Sequence, residues 1–304
     1  MSARLLRPAL ITVNLLGAYY LGGQLIYENI DDQPDIEVTQ PTDNGLRSVD
    51  MAAHLIDREI REHGWVANDP PFYPTALLDN MGAFQEGLIQ ALGRFSTELV
   101  DHVARSRGAS RLDPDLERAS GLLRFPGDVW LFKLDETWLP TVTSEEQFLE
   151  ARDALTAFNQ RLSQGQANFD PRADNLRVIV ERIASDLSSQ GSLIEGELRD
   201  AAFNPFDNGT DIAFYNTKGR LYAYYLMLRE TQYDFQEVLE QRGLTFLWGR
   251  MLASLREAAT LQPVFVSNGK PGALLPSHLA EQGFYLLRAK TQMLDVATVL
   301  AGGR

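Results

Sequence analysis

Residues 8–27 of this 304-residue chain, PALITVNLLGAYYLGGQLIY, hold no charged side chain, and Arg7 and Glu28 close the run on either side. A helix of 20 residues rises about 30 Å, the thickness of a bilayer's hydrocarbon core. The run therefore reads as a single transmembrane helix, although Asn14, Gln24, three glycines and three tyrosines make insertion only moderately favourable. Flanking charge supplies the orientation. Arg4 and Arg7 precede the run, whereas Glu28, Asp31, Asp32, Asp35 and Glu37 follow it, with no base before Arg47. That asymmetry places the N-terminus in the cytoplasm and the body on the far side, in the periplasm of a Gram-negative cell, with the bacterial inner membrane as the location. Two alternatives compete. A cleaved signal peptide needs small residues three and one before the cut, where Leu16 with Ala18 and Leu21 with Gly23 are poor pairs. A buried amphipathic helix is the other. Ala18 and Gly22 form a small-xxx-small pair through which two such helices, and hence a homo-oligomer, could pack.

Two of the 28 bases and one of the 41 acids precede residue 31, so the body carries 26 against 40, a net charge of −14. Such a body is repelled by nucleic acid and by anionic head groups, and nucleic acid is excluded as a partner. The absence of cysteine excludes disulfides, thiolate metal sites and cysteine nucleophiles. Only His54, His63, His102 and His278 remain as imidazoles, and no cofactor motif or metal-ligand spacing accompanies them.

The chain divides into an anchor at 1–29, an acidic tether at 30–47 stiffened by Pro34 and Pro41, and a helical domain at 48–304. The expected fold is mainly α, the anchor followed by an all-α multi-helix bundle. Val49, Ala52, Ile56 and Ile60 mark a first helix from Ser48 to a stop at Gly64. The loop at 65–74, WVANDPPFYP, cannot continue it. The longest pattern, 75–107, spaces Met81, Phe84, Leu88, Leu92, Phe95, Leu99 and Val103 by three or four and predicts a central helix. Asp113 with Pro114 opens a short helix, Ser144 with Gln147 reads as a capping box, and Asp170 with Pro171 opens another helix running past Gly191. Residues 128–140 could be a strand or an extended wall of the core. The turn-rich NPFDNGTD at 204–211 is the best internal boundary. Beyond it, helices are expected at 218–242, from Thr245, and at 277–300.

No reactive constellation outweighs its bland alternative. Trp65, Asn68, Asp69, Phe72 and Tyr73 with Asp79 and Asn80 could grip a sugar or peptide, or supply paired acids for a hydrolase; the plainer account is a proline turn covering the end of the core. Arg220, Tyr224, Tyr225 and Arg229 crowd one helix and offer an interaction face. Capture of a small ligand between this helix and the long one is a third option. Glu98 and His102 could meet a metal ion but lack the further ligands a dimetal bundle needs. His278 near Ser277 and Glu281 lacks a serine elbow.

Five segments together resemble a family of proteobacterial envelope proteins known only as a domain of unknown function, DUF2333. They are HGWVANDPPFYPTALLDN at 63–80, DPDLERASGLLRFPGDVW at 113–130, ADNLRVIVERIASDL at 173–187, KGRLYAYYLMLRE at 218–230 and LPSHLAEQGFYLLRAKTQ at 275–292. The resemblance implies one N-terminal membrane helix, a helical body and no assigned activity. It carries no catalytic residues. The expected function is a scaffold or protein-interaction module of the envelope with an unidentified protein partner, the alternatives being a carboxylate hydrolase and a ligand- or glycan-binding protein.

Overall fold

The computed structural model describes residues 3–27, 30–76, 79–102, 112–132, 139–200, 208–262 and 278–302, with the backbone alone at 3–10, 24–27, 102, 198–200 and 208. The chain is mainly helical, and among the described residues extended pairing is limited to one bridge between Phe132 and Pro140. In order come α1 Ala3–Tyr27, α2 Arg47–Asp57, a π-turn Arg58–Glu62, α3 Asp79–His102, α4 Pro114–Leu122, α5 Ser144–Ser163, α6 Ala173–Asp200, α7 Asn208–Asp234, α8 Gln236–Gln241, α9 Thr245–Ala259 and α10 His278–Ala301.

The innermost helix is α7, not the longest periodic stretch. From Leu221 to Leu228 every residue is buried, so the helix is enclosed on all sides and shows no amphipathic period for a sequence reading to find. It packs on α3 over its length, with α2, α6 and α9 completing the enclosure. Two glycines set the α3–α7 distance. A Cβ on Gly219 would lie 2.0 Å from the Phe84 carbonyl oxygen, and one on Gly87 would lie 2.0 Å from that of Asn216. The interface is therefore backbone against backbone. At these two positions nothing separates the helices, and the open space that both of them line lies to one side, at Glu86, Arg94 and Arg220. α10 packs along α6 and α9, so residues on both sides of the 204–211 turn share one core; of that turn, 204–207 lie outside the described residues.

Local signals landed close to where the residues place them, with shifts that have physical causes. Gly64, Gly165 and Gly243 take φ of 79°, 71° and 62° and end their helices, a conformation only glycine adopts without strain. Asp113 caps α4 by accepting from the amides of Asp115 at 3.0 Å and Leu116 at 3.3 Å. The α5 capping box is Thr143 with Glu146, one residue earlier than Ser144 with Gln147. Ser144 is buried and donates to the Pro126 carbonyl at 2.8 Å instead. α3 begins at Asp79 rather than Thr75, because Thr75 is turned inward with its hydroxyl on the Asp69 carboxylate. α7 begins ten residues before Lys218, and α6 opens at Ala173, two residues beyond Pro171.

Among the described residues no helix is long and apolar enough to cross a membrane, so the structure does not support the transmembrane assignment of residues 8–27. Polar Asn14 and the glycine and tyrosine residues dilute the run, and its side chains are described only from 11 to 23. The stretch 30–46 is non-helical, with turns at 34–35 and 43–44, and lies along the body, with Ile30, Ile36 and Val38 resting on the core.

Candidate functional site

Two neighbouring constellations surround the π-turn. The first is a buried ionic network. An α-helix continuing past Asp57 would place Ile60 on the core face, but the π-turn adds a residue to the turn and brings Arg58 and Glu59 inside at 3% and 1% exposure. Arg58 donates through Nη2 to Glu59 Oε1 at 2.7 Å and through Nη1 to the Tyr222 hydroxyl at 2.9 Å. Tyr222 in turn donates to the Gln33 carbonyl at 2.8 Å. His63 Nδ1 stands 3.4 Å from Glu59 Oε1, and its Nε2 stands 3.9 Å from Asp31. Gln85 from α3 donates to the Gly64 carbonyl at 2.8 Å and accepts from the Val66 amide, tying the loop after the π-turn to the core.

The electrostatics follow from burial and pairing. Burial alone would raise the Glu59 carboxyl, but contact with His63 and the Arg58 charge hold it below its usual range. Glu59 reciprocally raises the His63 imidazole against the effect of its own burial. Beside this cluster Lys218 is buried, and desolvation lowers its ammonium although Asp32 lies 2.6 Å away. It also donates to the Leu261 carbonyl at 2.6 Å.

Arg229 donates to the Pro34 and Ile36 carbonyls at 2.8 and 2.5 Å, and Arg256 reaches Asp35 at 2.8 Å. Asp31, Asp32 and Asp35 thus fasten 31–36 to the π-turn, α7 and α9. Asp31, Glu59 and His63 approach one another, but the Arg58 guanidinium pairs with both carboxylates and stands between them. No group of three His, Asp or Glu suited to a metal ion occurs among the described residues.

The second constellation is an aromatic groove where the end of α1 meets the 65–74 loop. Tyr19 and Tyr20 donate their hydroxyls to the Phe72 and Pro71 carbonyls at 3.0 and 2.6 Å. Gly23 is buried against Pro74, whose Cβ would lie 2.5 Å from an added Cβ. Tyr19, His63, Trp65, Val66, Phe72 and Tyr73 are among the residues lining a cavity of about 400 Å³. Its acid is Asp69, whose carboxyl is raised by burial against the opposing effect of the Thr75 hydrogen bond. Phe72 and Tyr73 are exposed, and the Phe72 ring meets Trp130 edge-on at 5.7 Å.

The sequence-predicted residues distribute unevenly over these features. Trp65, Asp69, Phe72 and Tyr73 meet in the groove. Trp65 is largely buried, its indole donating to the Gly127 carbonyl at 2.8 Å and its ring packed on Phe148. Asn68 is buried behind the loop, donating to the Val129 carbonyl at 2.9 Å and to Glu145 at 2.8 Å. Asp79 is exposed at the start of α3, where it accepts from the Asn80 amide at 3.1 Å, and it does not line the groove with Asp69. Its charged neighbour is Asp211, whereas that of Asp69 is Glu145, so the acids proposed for a hydrolase occupy separate surroundings.

The α7 set also separates. Arg220 pairs with Asp186 at 3.0 Å, to which the fully buried Tyr224 hydroxyl donates at 2.8 Å. Arg220 lines a second cavity of about 580 Å³ with Glu86, Arg94 and Arg124, where burial raises the Glu86 carboxyl. Tyr225 is buried, and Arg229 holds the 34–36 stretch. Ala18 is exposed, and a Cβ at Gly22 would meet nothing. The side chain of His102 lies outside the described residues. Sequence reasoning missed Arg58, Glu59, Asp31, Asp32 and Lys218; the one available signal was a pair of charges, Arg58 and Glu59, interrupting the apolar period before Ile60.

These features define a class: a mainly helical bundle around one enclosed helix, with an acidic strap ion-paired to it. The chain belongs to the family described as an uncharacterized protein conserved in bacteria, DUF2333, which it matches over residues 28–204. The match runs from the strap to the end of α6, so the quoted segments at 218–230 and 275–292 lie beyond it. No curated protein and no solved structure matches the chain.

Proposed function

We propose that this is a membrane-anchored envelope protein, held by α1 in the bacterial inner membrane, whose helical body faces the periplasm and acts as a scaffold or interaction module. The observation that carries the reading is the outward face of α1. Ile11, Val13 and Leu15 are 60%, 67% and 66% exposed, and Leu16 and Leu21 are exposed with them. Apolar side chains displayed all round a helix are stable in hydrocarbon, not in water. The asymmetry between Arg4 and Arg7 before the run and five acids after it supports the orientation. Support for a scaffold over an enzyme is the use of the buried ionisable groups at the π-turn: each is spent on a partner that fixes the 31–36 strap or the 64–66 loop.

A reporter enzyme fused after Arg304 tests the placement, read together with protease accessibility in spheroplasts. Periplasmic activity and a digestible body are expected. Cytoplasmic activity overturns the orientation, and release of the whole chain by alkaline carbonate overturns the anchor.

A further inference from the structure

We infer that the body is not suspended above the bilayer but dips an aromatic rim into its interface, the rim being formed by the 70–74 loop, residues 130–132 and residues 139–142. This deepens the anchor reading and rests on it. Three segments without charge converge at the end of α1, in a chain of which 23% is charged: PPFYPTA at 70–76, VWLF at 129–132 and LPTVTS at 139–144, the last two joined by 133–138, which holds Lys133, Asp135 and Glu136 and lies outside the described residues. Their described parts form one continuous surface. Phe72 meets Trp130, Trp130 meets Phe132 at 5.5 Å, Phe132 bridges Pro140, and the Thr141 amide donates to the Leu131 carbonyl at 2.8 Å. The surface is apolar and open, with Phe72 at 61%, Leu139 at 72% and Val142 at 52% exposure, and Tyr73 and Leu131 also exposed.

The position of the rim along α1 identifies its occupant as lipid. Tyr19 and Tyr20 hold the loop by hydrogen bonds, and Gly23 is buried on Pro74, so the body meets one face of α1 from Tyr19 to Gly23. Residues 8–20 rise only about 20 Å, roughly 10 Å short of the hydrocarbon thickness. For α1 to span, the elements packed around its last two turns must share that missing depth with it. The elements there are the uncharged rim segments, and their Tyr and Trp rings are the side chains that settle at the boundary between lipid tails and head groups. The net charge of −14 opposes approach of the rest of the body to anionic lipid, which favours contact through this apolar rim.

The cysteine-free chain allows a direct test. Full-length F72C, L139C and V142C, with L294C on the exposed face of α10 as an aqueous control, are labelled with an environment-sensitive fluorophore. They are then reconstituted into phosphatidylcholine vesicles containing one fifth phosphatidylglycerol. A blue shift at the three rim positions is expected, together with iodide quenching at least threefold weaker than at Leu294. Vesicle-bound protein whose rim labels are quenched like the control overturns the inference while leaving the anchor standing. Rim protection that persists in detergent at the mass of a dimer also overturns it, assigning the patch to a second copy. Failure of the protein to float with vesicles overturns the anchor reading and the rim with it.

Discussion

Replacing Gly219 by alanine separates the two central helices, and the cost can be worked from the geometry. The new Cβ would stand 2.0 Å from the Phe84 carbonyl oxygen, where ordinary contact begins at 3.4 Å, so α3 and α7 must part by about 1.4 Å or distort locally. The obstructing atom is backbone in mid-helix and cannot swing aside like a side-chain tip. Overpacking of this kind costs about 1–3 kcal/mol and sometimes more, against which the better helix propensity of alanine returns about 1 kcal/mol. The obstruction is as severe as the geometry allows short of a bond, and the expected net destabilisation is about 2 kcal/mol, or a melting temperature lower by roughly 4–8 °C for a body of this size.

An internal control has the opposite sign. Gly249 is exposed on α9 with nothing within 4 Å of an added Cβ, so G249A should stabilise by up to about 1 kcal/mol. Circular dichroism melts of the full chain in detergent, with urea titration for the free energies, compare the two. A G219A protein as stable as the parent, or a G249A protein less stable than G219A, would refute the close-packed α3–α7 reasoning.

K218M leaves Asp32 buried without its cation and should cost about 3–5 kcal/mol, whereas the double variant K218M/D32L should recover most of it; limited proteolysis at 30–46 and urea melts measure both. The His63–Glu59 pair sets a pH window. Because His63 titrates above its ordinary 6.5 in the folded chain, its contribution is fully present below that value and is lost as pH rises through the folded one. Glu59 titrates below 4.5, so its contribution is present above that value and lost as pH falls through the folded one. Melting temperatures taken across pH 5–9 should decline on the alkaline side for the parent and lie flatter for H63Q; parallel curves would contradict the pairing.

The sequence by itself determined the class and much of the punctuation. Gly64, Gly165 and Gly243 stop helices because left-handed backbone costs glycine no Cβ clash, and Asp113 caps α4 because a carboxylate followed by proline has few other local uses. The family was legible too, as was the aromatic loop at 65–74, whose prolines forbid a helix. The tertiary structure decided what local signals do not encode. A buried helix such as α7 has no polar face to betray its position. The π-turn changes which side chains point inward without leaving a mark in composition, so Arg58 and Glu59 read as surface charges until Tyr222 and His63 are seen beside them. The acids of 31–36 read as a solvated tether because Lys218, which pairs with Asp32, and Arg256, which pairs with Asp35, lie far along the chain. Pairing over such separations depends on where the whole bundle carries each side chain, and no periodicity within a window of sequence contains that information.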